Sequence, residues 1–209
     1  AYINNTKPAS SIGDISNSGF DSAAGGGGLM SYFARAQYDY KEKYLLSAVI
    51  RRDGSSNFGN GYKYGNFPSI SAGWVISKED FMSSTSKTIN FLKLRGSWGQ
   101  NGNQAIPAFI YSSTIAYAFP GYFFGDTKPV SGPTAYPARV PNPAVSWETS
   151  EQLDFGLDAS LFDSKLGITF DWYNKTTRDW LVEAKPPGTS GAAPPYINGG
   201  DIENKGFEI

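Results

Sequence analysis

The feature that most constrains this chain is a two-residue alternation in "YFARAQYDYKEKYLLSAVI", residues 32–50. Tyrosine and alanine recur at every second position from Tyr32 to Tyr40, with Arg35, Gln37 and Asp39 between them. Because successive side chains of a β-strand point to opposite faces, this spacing predicts a strand with one apolar and one polar face. The charged triplet at 41–43 and the apolar run after it predict a tight turn and a return strand.

Similar alternation recurs along the chain and predicts seven strands. They are expected at about 31–40, 44–53, 68–77, 91–99, 146–162 and 166–177, and a seventh begins near Gly199. The chain opens in loop-like sequence and stops within a predicted strand, so we expect it to be part of a larger polypeptide.

The connections between these strands alternate in length. "KEK" and "DSK" (163–165) predict tight turns, and the link 78–90 is expected to hold one helical turn with Ser77 as its cap. Long loops are predicted for the remaining segments, with 1–30 as an extracellular loop region: 1–30, 54–67, 100–145 and 178–198.

This arrangement is typical of an all-β, antiparallel transmembrane β-barrel, with short periplasmic turns and long extracellular loops. A tilted strand needs about 9–11 residues to cross the hydrocarbon layer. Aromatic residues predict two interfacial girdles. One is near the tight turns and the other toward the long loops: Tyr38, Tyr40, Tyr44 and Phe162; Trp98, Trp147 and Trp172. A soluble β-domain that binds carbohydrate or acts as an adhesin also alternates and is the alternative.

Composition excludes several classes of function. The chain has no His and no Cys, which removes the commonest general base and metal ligands, so we expect no enzyme, metal or cofactor. Asp154 and Asp158 lie four apart on one strand face, about 13 Å, too far for a glycosidase pair. A net charge of −1 does not suggest a nucleic-acid partner.

Several sequence motifs resemble those of one family of transporters. They are "YLLSAVIRRDGSSNFG", "GNFPSISAGWVIS", "LKLRGSWGQNGNQ", "NPAVSWETSEQLDFGLDASLF" and "ENKGFEI", in this order. Together they resemble the SusC/RagA family of TonB-linked outer-membrane transporters of Bacteroidetes. The match runs from about residue 31 to the end, so 31–209 is expected to be mid-barrel wall, with the plug domain and the barrel-closing strand outside this chain.

The resemblance implies a function and a set of partners. A protein of this family is expected to import a bulky nutrient, a glycan or an oligopeptide, across the outer membrane. It implies a SusD-like surface lipoprotein over the barrel mouth, energy from TonB–ExbB–ExbD through the missing N-terminal region, and a surrounding bilayer with lipopolysaccharide. Glycan and peptide importers share these motifs, so the substrate class stays open.

Two groups of side chains are candidates for functional roles. The polar sides of the strands are expected to face a wet lumen, at Arg35, Gln37, Lys93, Arg95, Asp154 and Asp158. Residues of the strand ends and long loops are candidates for substrate contact: Arg51, Arg52, Asn101, Asn103, Tyr111, Tyr117, Tyr122, Phe123 and Phe124. The competing interpretations are a rim ion pair for the arginines, turn chemistry for the asparagines, and loop packing or lid contact for the aromatic residues.

Overall fold

A computed structural model describes residues 27–124, 130–185 and 191–209, so most of the predicted loop region 1–30 lies outside the described residues. Eleven strands are described: β1 (Leu29–Tyr40), β2 (Tyr44–Ser55), β3 (Tyr64–Val75), β4 (Ile89–Asn103), β5 (Ile115–Phe124), β6 (Val130–Pro137), β7 (Glu148–Leu161), β8 (Leu166–Arg178), β9 (Leu181–Glu183), β10 (Tyr196–Asn198) and β11 (Ile202–Glu208). Across these residues no helix has the length and apolar character needed to cross a membrane.

Seven of the strands form one antiparallel sheet in the order β1-β2-β3-β4-β7-β8-β11. The alternating segments found in the sequence are these seven strands, so the all-β, antiparallel prediction is confirmed. Several strands extend beyond their predicted limits toward the long connections. β2 reaches Ser55, β3 begins at Tyr64, and β4 continues to Asn103.

The predicted long loop 100–145 is wrong as a single loop. Its first residues belong to β4, and its middle forms the hairpin β5–β6, which pairs from Ile115↔Pro137 to Phe124↔Val130. A second small hairpin, β9–β10, lies in the predicted loop 178–198. These strands are short or rich in glycine and proline, and they lack the clear alternation of the seven-stranded sheet.

The tight turns lie at one end of the sheet, which we call the turn end, and the long connections at the other, the loop end. Lys41 and Glu42 have φ of 54°, as a tight hairpin turn requires. The link after β3 contains two 3₁₀ turns, Ile76–Lys78 and Asp80–Thr85. Helical structure is therefore confirmed there, but Ser77 lies inside the first turn and does not cap it.

The two faces of the sheet differ in chemistry, because directly paired residues of an antiparallel ladder point to the same side. One row of pairs places small and polar residues together: Gln37, Ser47, Ser71, Ser97 and Asp154. The next row carries Tyr38, Leu46, Ala72, Gly96 and Phe155. We call these the polar face and the apolar face.

The apolar face is uncovered in the described part of the chain. Tyr38 is 60% exposed and Phe155 is 53% exposed, although both lie inside their strands. Burial of such surface away from water is favourable in proportion to its area, so a face of this kind requires an apolar surrounding. A lipid bilayer supplies one.

The buried hydrophobic core lies at the loop end and not between layers of the sheet. We call it the loop core, and it consists of Phe58, Phe67, Ile106, Ile110, Val145 and Trp147. Trp147 was predicted to join an interfacial girdle, and this is wrong, because its ring packs on Phe58 and Phe67 at 5.1 and 5.4 Å. Trp172 also departs from the prediction, since it stands at the middle of β8 and stacks on Phe155.

Candidate functional site: the polar face and its loop end

A charged cluster that links three strands lies on the polar face. Arg95 of β4 donates from Nε to Asp158 of β7 at 3.1 Å, and from Nη2 to Asp171 of β8 at 2.7 Å. The three side chains are about one-third exposed, so water reaches the cluster. A guanidinium shared by two carboxylates fixes the spacing of the three strands through charge-assisted hydrogen bonds.

Gly156 makes this arrangement possible. It pairs with Arg95 on one side and with Asp171 on the other, so Arg95 must pass over it to reach Asp171. A Cβ atom at Gly156 would lie 2.5 Å from Cζ of Arg95 and 2.7 Å from the Asp171 carboxylate. Any side chain at this position would displace the guanidinium.

The rest of the polar face is a shallow trough with hydrogen-bonding walls. Asp154 accepts from Ser97 Oγ at 3.2 Å and from Gln152 Nε2 at 2.8 Å. The trough has a volume of about 630 Å³ and its floor is made of small residues, among them Ser47, Ser71 and Gly73. Its walls include Gln37, Lys93, Arg95 and Asp154.

All six residues predicted to face the lumen share the polar face. Arg35 pairs with Val49, Gln37 with Ser47, and Lys93 with Asp158, and each pair continues a row on this side of the sheet. Their orientation toward a lumen stays a prediction. Asp158 accepts a hydrogen bond from Arg95. This contact gives Asp158 a structural role and does not fit a role as one of two catalytic carboxylates.

Arg51 and Arg52 were predicted together, but they point to opposite faces because they are neighbours in β2. Arg51 pairs with the buried Asp53 at 2.8 Å, and its guanidinium lies 5.9 Å from the Phe67 ring centre. Arg52 stacks over Tyr64 at 4.9 Å. The two side chains therefore do not line one common surface, whereas the rim ion pair of the competing interpretation is present.

Asn101 and Asn103 lie in β4, so the competing interpretation of turn chemistry is wrong for Asn101, but it holds for Asn103, the last residue of the strand, whose side chain bonds the backbone two residues ahead. Asn103 donates to Glu148 at 3.1 Å and accepts from the Ala105 amide at 2.9 Å. Asn101 is exposed and lines a cavity on the polar face above Ser97. A contact of either residue with substrate stays a prediction.

The five aromatic candidates fall in two places. Tyr111 packs against the loop core, and Tyr117 of β5 is 50% exposed. Tyr122, Phe123 and Phe124 follow in the same strand, paired with Gly132, Ser131 and Val130, and their side chains lie outside the described part of the chain. Substrate contact by these residues also stays a prediction.

The loop core was not predicted from the sequence. Phe67 covers Gly65 and Gly102, where a Cβ atom would lie 2.5 and 2.0 Å from its Cζ. Trp147 Nε1 donates to the Lys63 carbonyl at 3.1 Å, which ties the residue before β7 to the residue before β3. The available signal was the pair of strand glycines, because a glycine inside a strand often marks a close approach by another group.

Side-chain hydrogen bonds of Asn198 and Arg139 hold the connections at the loop end together. Asn198 accepts from the Ser146 amide at 2.9 Å and donates to the Ser146 carbonyl at 3.0 Å and the Asp179 carbonyl. Arg139 donates to Glu183 at 2.8 Å and lies over the Tyr196 ring. The hydrogen bond from Arg139, followed by one from Tyr196, lowers the pKa of Glu183.

A second polar cluster lies at the turn end, between the two 3₁₀ turns. Glu79 accepts from Tyr44 Oη at 2.7 Å, Trp74 Nε1 at 3.0 Å and Lys43 Nζ at 3.0 Å. These hydrogen bonds, with that from Tyr44 the strongest, lower the Glu79 pKa from 4.5 to about 2. The Tyr44 and Trp74 rings stack at 6.4 Å, so the cluster closes the lower border of the apolar face.

Comparisons with known proteins agree with this architecture. A family model described as "TonB dependent receptor-like, beta-barrel" matches residues 1–209. TonB-dependent receptor P39 of Formosa agariphila is 42% identical over 87% of this chain and 17% of its own length. TonB-dependent receptor SusC of Bacteroides thetaiotaomicron is 34% identical over 87% of this chain and 18% of its own length.

Solved structures give the same result. The RagAB peptide importer in its "closed-closed" state superposes with a TM-score of 0.74 and 26% identity, covering 86% of this chain and 19% of that chain. This chain thus spans about one-fifth of the length of the relatives it matches.

These matches overturn the alternative of a soluble carbohydrate-binding or adhesin domain, and they describe receptors and not enzymes. Among the described residues, no group of three or more acidic side chains could hold a metal ion. The chain belongs to the TonB-dependent receptor β-barrel family, and it is a segment of an outer-membrane barrel of the kind found in SusC and RagAB.

Proposed function

We propose that this chain forms part of the barrel wall of an importer for a bulky nutrient, either a glycan or an oligopeptide. In this proposal a SusD-like surface lipoprotein covers the loop end, which faces the cell exterior. TonB–ExbB–ExbD supplies the energy through a part of the protein beyond this chain. The turn end then faces the periplasm.

The observation that carries the proposal is the division of one continuous sheet into two chemically different faces. The polar face holds Arg95, Asp158 and Asp171 in a water-accessible network above a floor of small residues. The opposite face exposes Tyr38, Phe155 and similar side chains. A wall between lipid and a wide hydrated passage requires this pair of surfaces.

The relatives support import but do not decide the nutrient. One solved relative is named a peptide importer, and another similar protein, TonB-dependent receptor SusC, has a name that states no substrate. The polar face carries both hydrogen-bonding and charged side chains, which suit either a glycan or a peptide. Arg51, at the loop end, is already paired with Asp53 within the chain.

The test uses the full-length receptor extracted from native outer membranes in mild detergent, with mass spectrometry of what co-purifies. A stoichiometric SusD-like lipoprotein supports the proposal, and a bound glycan or peptide identifies the substrate class. A receptor that purifies alone, from cells that take up labelled glycan and peptide pools equally well with and without its gene, overturns it.

A control separates energised import from passive leakage. Uptake of the co-purifying compound is measured before and after a protonophore collapses the proton gradient at the inner membrane. Loss of uptake supports TonB-driven import. Unchanged uptake indicates a passive pore and contradicts the proposed energy source.

A further inference from the structure

The pairing within the seven-stranded sheet does not continue all the way to the loop end. β3 and β4 pair from Val75↔Lys93 to Ser69↔Gly99, and within the described residues their pairing ends there. Beyond this row β3 stays paired with β2 as far as Tyr64, and β4 stays paired with β7 as far as Asn103. Above the Ser69–Gly99 row the wall is therefore parted into two leaves, β1–β3 and β4–β7–β8–β11.

The loop core fills this parting. The Phe67 side chain extends from β3 until its ring lies against Gly102 of β4, where a Cβ atom would be 2.0 Å from Cζ. Trp147 packs edge-on against Phe67 from the start of the opposite leaf, and Phe58 packs on Trp147. If the ladder continued, Phe67 would stand opposite Asn101, whereas its ring instead covers Gly102 of β4 and Gly65 of its own strand.

The contacts across the parting differ in kind from a β-ladder. A ladder holds its strands at a fixed spacing through directional hydrogen bonds. Across the parting the main contact is apolar packing, which has no preferred direction. Among the described residues the hydrogen bonds across the parting come from side chains, such as Trp147 Nε1 to Lys63 O and Asn57 Nδ2 to Gln104 O.

We propose that this parting, wedged open by Phe67 and hinged at Ser69–Gly99, is the place where the outer rim of the wall changes width. Below the hinge, down to the Val75–Lys93 row, the sheet is a continuous ladder and keeps its spacing. Above it the two leaves separate or approach by repacking of the loop core. The inference concerns the mechanics of the wall and holds for either class of nutrient.

The test measures two distances between the same two strands in the full-length receptor in nanodiscs. Nitroxide labels on Y32C and R178C span the rim, and labels on Y40C and F170C span the continuous base. Each pair joins β1 to β8 across five inter-strand steps, about 24 Å along the sheet, which suits double electron–electron resonance. This chain contributes no cysteine of its own.

A rim distribution that is broader than the base distribution is the expected result. Rim and base distributions of equal width overturn the proposal, since the leaves would then be as rigidly joined as the ladder. This readout needs neither substrate nor lipoprotein, so its outcome is separate from that of the proposed import function.

A substitution tests the wedge itself. Gly102→Ala places a methyl group where the Phe67 ring lies, so the ring must leave and the mean rim distance is expected to shift while the base distance stays constant. Gly167→Ala is the matched control, because nothing lies within 4 Å of its added Cβ. A correctly folded Gly102→Ala receptor with an unchanged rim distance overturns the assignment.

Discussion

Arg95 donates a 2.7 Å hydrogen bond to Asp171 even though the whole of strand β7 lies between them. The guanidinium passes over Gly156, the residue of β7 that pairs with both. The contact therefore depends on the absence of a side chain at one position as much as on the two charged groups. It joins β4 to β8 directly, whereas backbone pairing joins each of these strands only to its neighbours in the sheet.

Replacing Gly156 by alanine is expected to break this contact. The new methyl group would lie within 2.7 Å of both partners, so the Arg95–Asp171 bond is lost, at a cost of about 1 kcal/mol for a partly exposed charged pair. Urea unfolding of the full-length receptor in detergent measures the change. Gly167→Ala, in open space on β8, should change the stability by less than about 0.5 kcal/mol. Equal stability of both variants would contradict the role given to Gly156.

Truncation of Trp147 is expected to destabilise the loop end strongly. The side chain is 7% exposed, packs on two aromatic rings and holds the Lys63 carbonyl. Trp147→Ala should cost about 3–5 kcal/mol, as usual for a buried aromatic residue. Trp180→Ala is the control, because Trp180 is 45% exposed. Thermal unfolding of both variants measures the difference. A Trp147→Ala receptor as stable as the Trp180→Ala receptor would contradict the stabilising role given to the loop core.

The turn end should depend on pH through Glu79. Its pKa is about 2 in the folded protein and 4.5 ordinarily, so its stabilising contribution is complete above pH 4.5 and is lost as the pH falls toward 2. Glu79→Gln should remove this part of the pH dependence of stability. The measurement is the unfolding midpoint of each receptor between pH 4.5 and pH 2. Asp80→Asn changes a fully exposed neighbouring carboxylate, which lies 3.7 Å from Lys43 and makes no hydrogen bond to Glu79, and should leave most of the wild-type slope. A Glu79→Gln receptor with the wild-type slope would show that the cluster does not couple to folding.

Asn198 should control how tightly the outer connections hold together. Asn198→Asp keeps the acceptor for the Ser146 amide but removes the donors to the Ser146 and Asp179 carbonyls. Loss of these bonds, about 1–3 kcal/mol, should increase local opening and speed proteolytic cleavage within 179–200 several-fold. Asn60→Asp, at an exposed position of the β2–β3 connection, is the matched control. Identical cleavage rates in the two variants would argue against the role of Asn198.

Sequence predicted the sheet well because the side-chain period of a strand is visible in the residues themselves. The alternation from Tyr32 to Tyr40 appears unchanged in β1, and the six polar-face residues stand on one side. The loop core was missed because Phe58, Ile106 and Val145 lie far apart in the chain and follow no period. The Arg95–Asp171 contact was missed because it depends on the pairing register of three strands, which no single segment encodes.

The cluster at Glu79 has a consequence for the surrounding lipid. Interfacial tyrosine and tryptophan normally direct their polar atoms to headgroups and water, so the bilayer helps to set their depth. Here Tyr44 and Trp74 give theirs to a carboxylate of the same chain. The position of this aromatic border along the strands is therefore set by the protein. A bilayer whose hydrocarbon boundary lay elsewhere along these strands would have to deform locally to meet this border, at a modest free-energy cost for each ångström of mismatch.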